Sequence, residues 1–288
     1  MYNFNRGIMP IDLKSNLYYE SYGSTSAKTI VFLHGGGIGG WMWRQQVKAF
    51  QAEYHCLVPD LPEQGKNTNI STEPYTTEGA ADLIAELILG QANGGKAHVV
   101  GISEGAQVVV ALLSRHPDVI DHAMVSSAIL RPMWLSKISG GMVSWMYRWF
   151  MAPFKNSDWW IRLNMQGQIG SNEDFFPDFK ASFQGMTEAS MVHMMERAMS
   201  FRMPGGMEKV NVPTLIVCGK HEYKEMRESV RDLVSVMPNA SGAFVSLGRS
   251  STLAKEHSWA MTEPEFFNAT LKAWIENRPL PIDLLPLK

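Results

Sequence analysis

Residues 98–117 read HVVGISEGAQVVVALLSRHP. An apolar run ends at Gly101-Ile102-Ser103-Glu104-Gly105, and a helix-like pattern begins at once. Strand, tight turn and helix, with a serine at the turn, is the context that a nucleophile elbow requires. The flanking glycines permit the close approach of strand and helix that such a strained turn needs. A glycine-lined turn carrying an ordinary serine is the competing reading of the same residues.

Outward from this turn, short apolar runs alternate with longer helical patterns. Strands are predicted at 8–13, 17–22, 29–33, 55–59, 97–102, 122–126, 214–218 and 243–247. Helices are predicted at 42–52, 77–91, 104–116, 224–237 and 264–277, the second with Thr77 at its capped start. Continuous apolar runs such as TIVFL and TLIVC suit strands covered on both faces. The alternation predicts an α/β fold with a mostly parallel central sheet flanked by helices. The first two strands, joined by Lys14 to Asn16, read as an antiparallel opening hairpin.

The alternation stops between about Leu130 and Val210, where the sequence is helix-like and rich in Met and aromatic residues. This predicts a helical insertion, residues 130–210, in a core made of 1–129 and 211–288. Twelve of the 19 Met fall there, with Trp134, Trp145, Trp149, Trp159 and Trp160. Met191, Met194, Met195 and Met199 share one helical face.

The 288 residues carry 26 Lys and Arg against 28 Asp and Glu, a formal charge of −2. Such a chain has no electrostatic footprint for nucleic acid or an anionic membrane surface. No uninterrupted apolar run reaches membrane-spanning length. Cys56 and Cys218 lie in strand-like runs and read as small buried hydrophobes, which excludes a disulfide framework. No metal spacing is present and no metal or cofactor is expected. The N-terminus lacks the basic start and apolar stretch of a secretory signal, so a cytoplasmic protein is the default expectation.

A second glycine-rich segment, His34-Gly35-Gly36-Gly37-Ile38-Gly39-Gly40, follows the TIVFL run. Such a loop can aim backbone N–H groups at a developing negative charge. A phosphate loop is the poorer reading. The P-loop lysine is missing, and the dinucleotide pattern fits only because the segment is nearly all glycine.

Together these residues resemble the α/β-hydrolase fold superfamily. HGGG, VPDLPEQGKN, GISEGA and EHSWAMTEPEFFNATLKAWI occur in that family's order, and the resemblance covers nearly the whole chain. It implies that Ser103 is a nucleophile, with an oxyanion hole from the N–H groups of Gly36 and Glu104 and with Gly37 as the alternate. His34 is implied to support the loop. The family's acid position falls on Glu222, in Gly219-Lys220-His221-Glu222, where Asp is usual. The base is implied to be His257, although a longer approach, GRSSTLAKE, precedes it. The insertion corresponds to the family's variable cap.

The expected chemistry is acyl transfer through Ser103, with His257 as base and Glu222 orienting it. The expected substrate is a small or medium apolar ester, bound in a cavity walled by cap residues and by Trp41 and Trp43. The Glu104 side chain reads as a solvated acid of the helix's first turn, with a catalytic part for that carboxylate as the alternative. Two further readings stay open on the same pocket: a non-hydrolytic ligand-binding protein, and a lyase or cofactor-free oxygenase. A homodimer is also left open.

Overall fold

The computed structural model describes residues 17–67, 75–133, 139–248 and 251–287. The predicted strand at 8–13, and any hairpin it forms, lie outside these residues. Eight strands make one sheet: β1 (Tyr19–Tyr22), β2 (Thr29–Leu33), β3 (His55–Pro59), β4 (Ala97–Ile102), β5 (Ile120–Ser126), β6 (Thr214–Gly219), β7 (Ala240–Val245) and β8 (Leu285–Pro286). Their order is β1-β3-β2-β4-β5-β6-β7-β8. Only the two edge strands, β1 against β3 and β8 against β7, are antiparallel.

The helices in chain order are α1 (Arg44–Phe50), α2 (Thr77–Gln91), α3 (Glu104–Arg115), α4 (Gly140–Met146), α5 (Asp158–Ile169), α6 (Phe176–Gly185), α7 (Glu188–Ser200), α8 (Lys224–Val236), α9 (Leu253–His257), α10 (Trp259–Thr262) and α11 (Pro264–Ile275). Every residue of β2, β3, β4 and β6 is buried, so each strand is covered on both faces. Strand periodicity divides the cover. Val31, Leu33, Leu57 and Val99 pack with Ile84 and Ile88 of α2, Val108 and Leu112 of α3 and Val230 of α8. Ile30, Phe32, Val58 and Val100 point the other way, to Val47 and Phe50 of α1 and Phe267 and Leu271 of α11. The cap of α2 is Thr76 rather than Thr77, its side chain accepting from the Gly79 N–H at 2.9 Å.

Helices α4 to α7 lie between β5 and β6 and add no strand to the sheet among the described residues. Their packing is led by Ile161, Met165, Phe175, Phe179 and Phe183, continuous with the core of the second face. Trp145, Trp149 and Trp159 are at least half exposed, as is Met142. Several of the aromatic residues of this segment therefore face outward, whereas most of its Met are buried or half-buried. No helix among the described residues is long and apolar enough to cross a membrane.

Both cysteines are buried, and burial pushes the Cys56 thiol up to about 12 and the Cys218 thiol above its usual range. His98, on β4, is almost fully buried, and neither ring nitrogen has a partner among the described residues. Burial first, and then the neighbouring His122, lower it from 6.5 to about 4. The folded chain thus refuses a proton that the unfolded chain accepts. Stability is expected to fall as pH drops from 6.5 towards 4. Denaturant unfolding across that window checks this, and His98→Phe is expected to flatten the slope.

Candidate functional site

Ser103 sits where β4 passes into α3, at φ 56 and ψ −117. A non-glycine residue in this region is strained and persists only where its surroundings enforce it. The enforcement is steric. A Cβ on Gly105 would run into the Leu33 carbonyl of β2, and one on Gly101 would run into the Gly105 carbonyl. The turn therefore closes only with glycine on both sides of the serine. Glu104 is the first residue of α3, and the first N–H groups of a helix have no intrahelical acceptor.

The glycine loop after β2 is braced from behind. The His34 ring is fully buried, with Nδ1 2.8 Å from the Gly35 carbonyl and Nε2 accepting from the Leu61 N–H at 2.8 Å. Asp60 accepts from the Gly40 N–H at 2.6 Å. The Gly37 N–H donates to Gln64 Oε1 at 2.7 Å. Of the two candidate loop donors, Gly37 is thus already engaged, which leaves Gly36.

Glu222 follows β6 and is buried, its Oε1 accepting from Ser127 Oγ and from the Gly219 N–H, both at 2.7 Å. Its Oε2 lies 3.2 Å from His257 Nδ1. Burial lowers the affinity of His257 for a proton, but the charge and hydrogen bond of Glu222 outweigh it and raise the value above the ordinary 6.5. With Nδ1 held by the carboxylate, Nε2 is the nitrogen free to serve another group.

The longer approach to His257 contains a second pair. Glu256 is fully buried and accepts from the His221 N–H at 2.7 Å, from the Leu247 N–H at 3.3 Å, and lies 2.9 Å from His221 Nδ1. Burial alone would raise this carboxyl, but the bonds from His221 hold it below its usual value. The dipeptides His221-Glu222 and Glu256-His257 therefore cross-link two loops reciprocally. Within this approach Leu253–His257 form the short helix α9, capped by Thr252.

Ser103 and His257 line one cavity of about 280 Å3, with Gly35, Gly36, Ile38, Met42, Ile102, Ile169 and Leu253. Its walls come from the glycine loop, β4, the end of α5 and α9. The expected aromatic wall is corrected. Trp43 is fully buried in the core against Phe32 and Phe267, 5.2 and 5.5 Å between ring centroids. Trp41 faces a different cavity and donates to Ser182 Oγ of α6 at 2.9 Å. Nor does a Met of the insertion line the serine's cavity. Met194 and Met186 instead occupy the space that a Cβ on Gly36 or Gly37 would need.

The Glu104 side chain is also not solvated. It is 4% exposed and accepts from Tyr75 Oη at 2.8 Å and from Gln64 Nε2 at 2.9 Å. Sequence reasoning missed Gln64, Tyr75, Ser127 and Arg197 altogether as parts of the site. The signal for Ser127 was the Ser126-Ser127 pair closing β5. Nothing local marked the others. Among the described residues no group of three or more His, Cys, Asp or Glu is placed to hold a metal ion.

Ser103, on a strained strand-to-helix turn, thus shares one cavity with a carboxylate-held histidine. The sequence matches the model of the alpha/beta hydrolase fold family over residues 28–158. The chain has the α/β-hydrolase fold. A curated relative, an AB hydrolase superfamily protein of Gibberella zeae, is 26% identical, the match covering 97% of this chain and 89% of that one. A thermophilic esterase from Thermogutta terrifontis superposes with a TM-score of 0.68 at 16% identity, covering 91% of this chain and 93% of its own. The enol-lactonase of Burkholderia xenovorans LB400 gives a TM-score of 0.70 at 17% identity, covering 90% and 96%. At such identities the solved structures establish the shared fold.

The His257–Glu222 contact has a direct readout. Titration of the His257 ring by NMR is expected to show a midpoint above 6.5. Glu222→Gln is expected to bring it down, because burial then acts unopposed. An unchanged midpoint would mean that the contact carries no weight in solution.

Proposed function

We propose that the chain is a serine hydrolase that cleaves small apolar carboxylic esters through Ser103, His257 and Glu222. The observation that carries this reading is Ser103, strained at φ 56, facing the same cavity as a histidine whose Nδ1 is held by a buried carboxylate.

In this reaction Ser103 Oγ attacks the ester carbonyl carbon as its proton passes to His257 Nε2. The carbonyl oxygen becomes an oxyanion held by the N–H groups of Gly36 and Glu104, a pair in which one lost donor costs roughly a hundred- to a thousandfold in rate. Glu222 stays ionised and stabilises the imidazolium. The tetrahedral intermediate collapses, the C–O bond breaks and the alcohol leaves with the proton from His257. Water then attacks the acyl-serine with His257 again as base, releasing the acid and restoring Ser103. A cavity of about 280 Å3 with walls of Ile38, Met42, Ile102, Ile169 and Leu253 favours short acyl groups without charge. The hydrolase names of relatives, an esterase and a lactonase among them, agree with ester chemistry.

A panel of p-nitrophenyl esters is expected to show acetate and butyrate turned over faster than palmitate. Ser103→Ala is expected to lose this turnover, and a fluorophosphonate probe to label Ser103 in the wild type. Unchanged turnover in Ser103→Ala with no labelling would falsify the proposal, and no turnover in the wild type would favour a binding protein. The rate should fall as pH drops through the raised His257 value, since the base must be neutral.

A further inference from the structure

The most deeply buried side chain of α7 is an arginine. Arg197 is 7% exposed on a helix whose other residues are all at least partly exposed. Its Nη1 donates to Glu63 Oε2 at 2.6 Å, and its Nε and Nη2 lie 3.4 Å from Glu104 Oε1. The guanidinium stacks 3.7 Å over the Tyr75 ring. His193, one turn earlier, lies 2.9 Å from the other Glu63 oxygen. Glu63 holds this position at φ 63, a conformation that glycine would adopt at less cost.

The cluster continues inward to the glycine loop. Gln64 spends its whole amide on it: Oε1 accepts from the Gly37 N–H and Nε2 donates to Glu104 Oε2 and, at 3.3 Å, to Tyr75 Oη. The amide's orientation is fixed by its partners. Reversed, it would set its NH2 against an N–H and its oxygen against a carboxylate. Glu104 Oε2 comes 2.8 Å from where a Cβ on Gly36 would stand. A carboxylate is thus placed beside the glycine whose N–H the hydrolase reading assigns to the oxyanion. Unbalanced, that charge would oppose the negative charge developing in the transition state.

We propose that Arg197 and Gln64 are positioning residues of the oxyanion hole: Gln64 ties the glycine loop to Glu104, and Arg197, carried by the inserted helical layer, neutralises Glu104 so that the hole can accept negative charge. The hole is complete only while α7 is seated. This rests on the hydrolase reading above, and it assigns work to three side chains outside the Ser-His-Glu set. Burial of the ion pairs raises their leverage, because removing one partner strands the other charge in a dry site.

The test is steady-state kinetics on a short p-nitrophenyl ester. Arg197→Met is expected to lower kcat roughly ten- to a hundredfold with KM changed less than about twofold. Adding Glu104→Gln to that variant is expected to return most of the lost kcat, since the charge stranded beside Gly36 is then gone while Glu63 keeps His193. A purely structural role for Arg197 predicts no such rescue. A trifluoromethyl ketone, which binds as an oxyanionic hemiketal, should lose affinity in parallel with kcat. If Arg197→Met fails to fold by circular dichroism, Gln64→Met takes its place, with the same kcat loss expected. Wild-type kcat in whichever single variant folds, or no rescue in Arg197→Met with Glu104→Gln where Arg197→Met folds, overturns the proposal. Loss of activity in Ser103→Ala alongside such a result overturns this inference alone, whereas full activity in Ser103→Ala overturns the hydrolase reading beneath it.

Discussion

The Leu33 carbonyl on β2 leaves no room for a side chain at position 105, and the rest of the site depends on that contact. Because Gly105 admits α3 so close to the sheet, the backbone at Ser103 is forced into its strained turn and the hydroxyl stands clear of both strand and helix. The same closeness brings the start of α3 against the glycine loop that leaves β2. One steric requirement thus sets two things at once: where the serine points, and where the first N–H of the helix lies relative to Gly36. Strain of this kind is retained where packing over-determines the backbone.

The far side of the cavity is governed by hydrogen bonding to buried carboxylates. Glu222 and Glu256 each lose solvent and each recover by accepting from a histidine on the opposite loop. Neither carboxylate relies on its histidine alone, since backbone or hydroxyl donors complete both. Buried charge without such partners would be costly. The reciprocal arrangement ties the turn after β6 to α9, which positions the His257 ring without a glycine-rich turn.

The alternation of apolar runs and helical patterns made the sheet legible, and α2, α3, α8 and α11 begin where periodicity places them. The turn at Ser103 was legible because its steric demand writes itself into the local sequence as two glycines. Side-chain partnerships across distant segments were not. Trp43 reads as a pocket residue by proximity to the glycine loop, yet 3-10 geometry over Gly40–Trp43 turns it into the core. Glu104 reads as a surface acid because acids are common in a helix's first turn, yet its partners Gln64, Tyr75 and Arg197 arrive from three other places. The Met-rich face of α7 reads mostly as core packing with some of it lining the cavity, yet the most deeply buried side chain of the helix is its one arginine. Periodicity reports which face of an element is apolar, and it is silent on which distant polar group that element meets.

The long insertion between β5 and β6 also bears on chain entropy. The two strands are neighbours in parallel register although more than eighty residues separate Ser126 from Thr214. Closing a loop costs free energy only as the logarithm of its length, about 0.6 kcal/mol for each doubling. The sheet is therefore nearly indifferent to how much chain is inserted there. Loop closure alone would allow segments of quite different length at this junction, and what limits the exchange is finding a replacement that packs on the core as Ile161, Met165, Phe179 and Phe183 do and that meets the acids at Glu63 and Glu104.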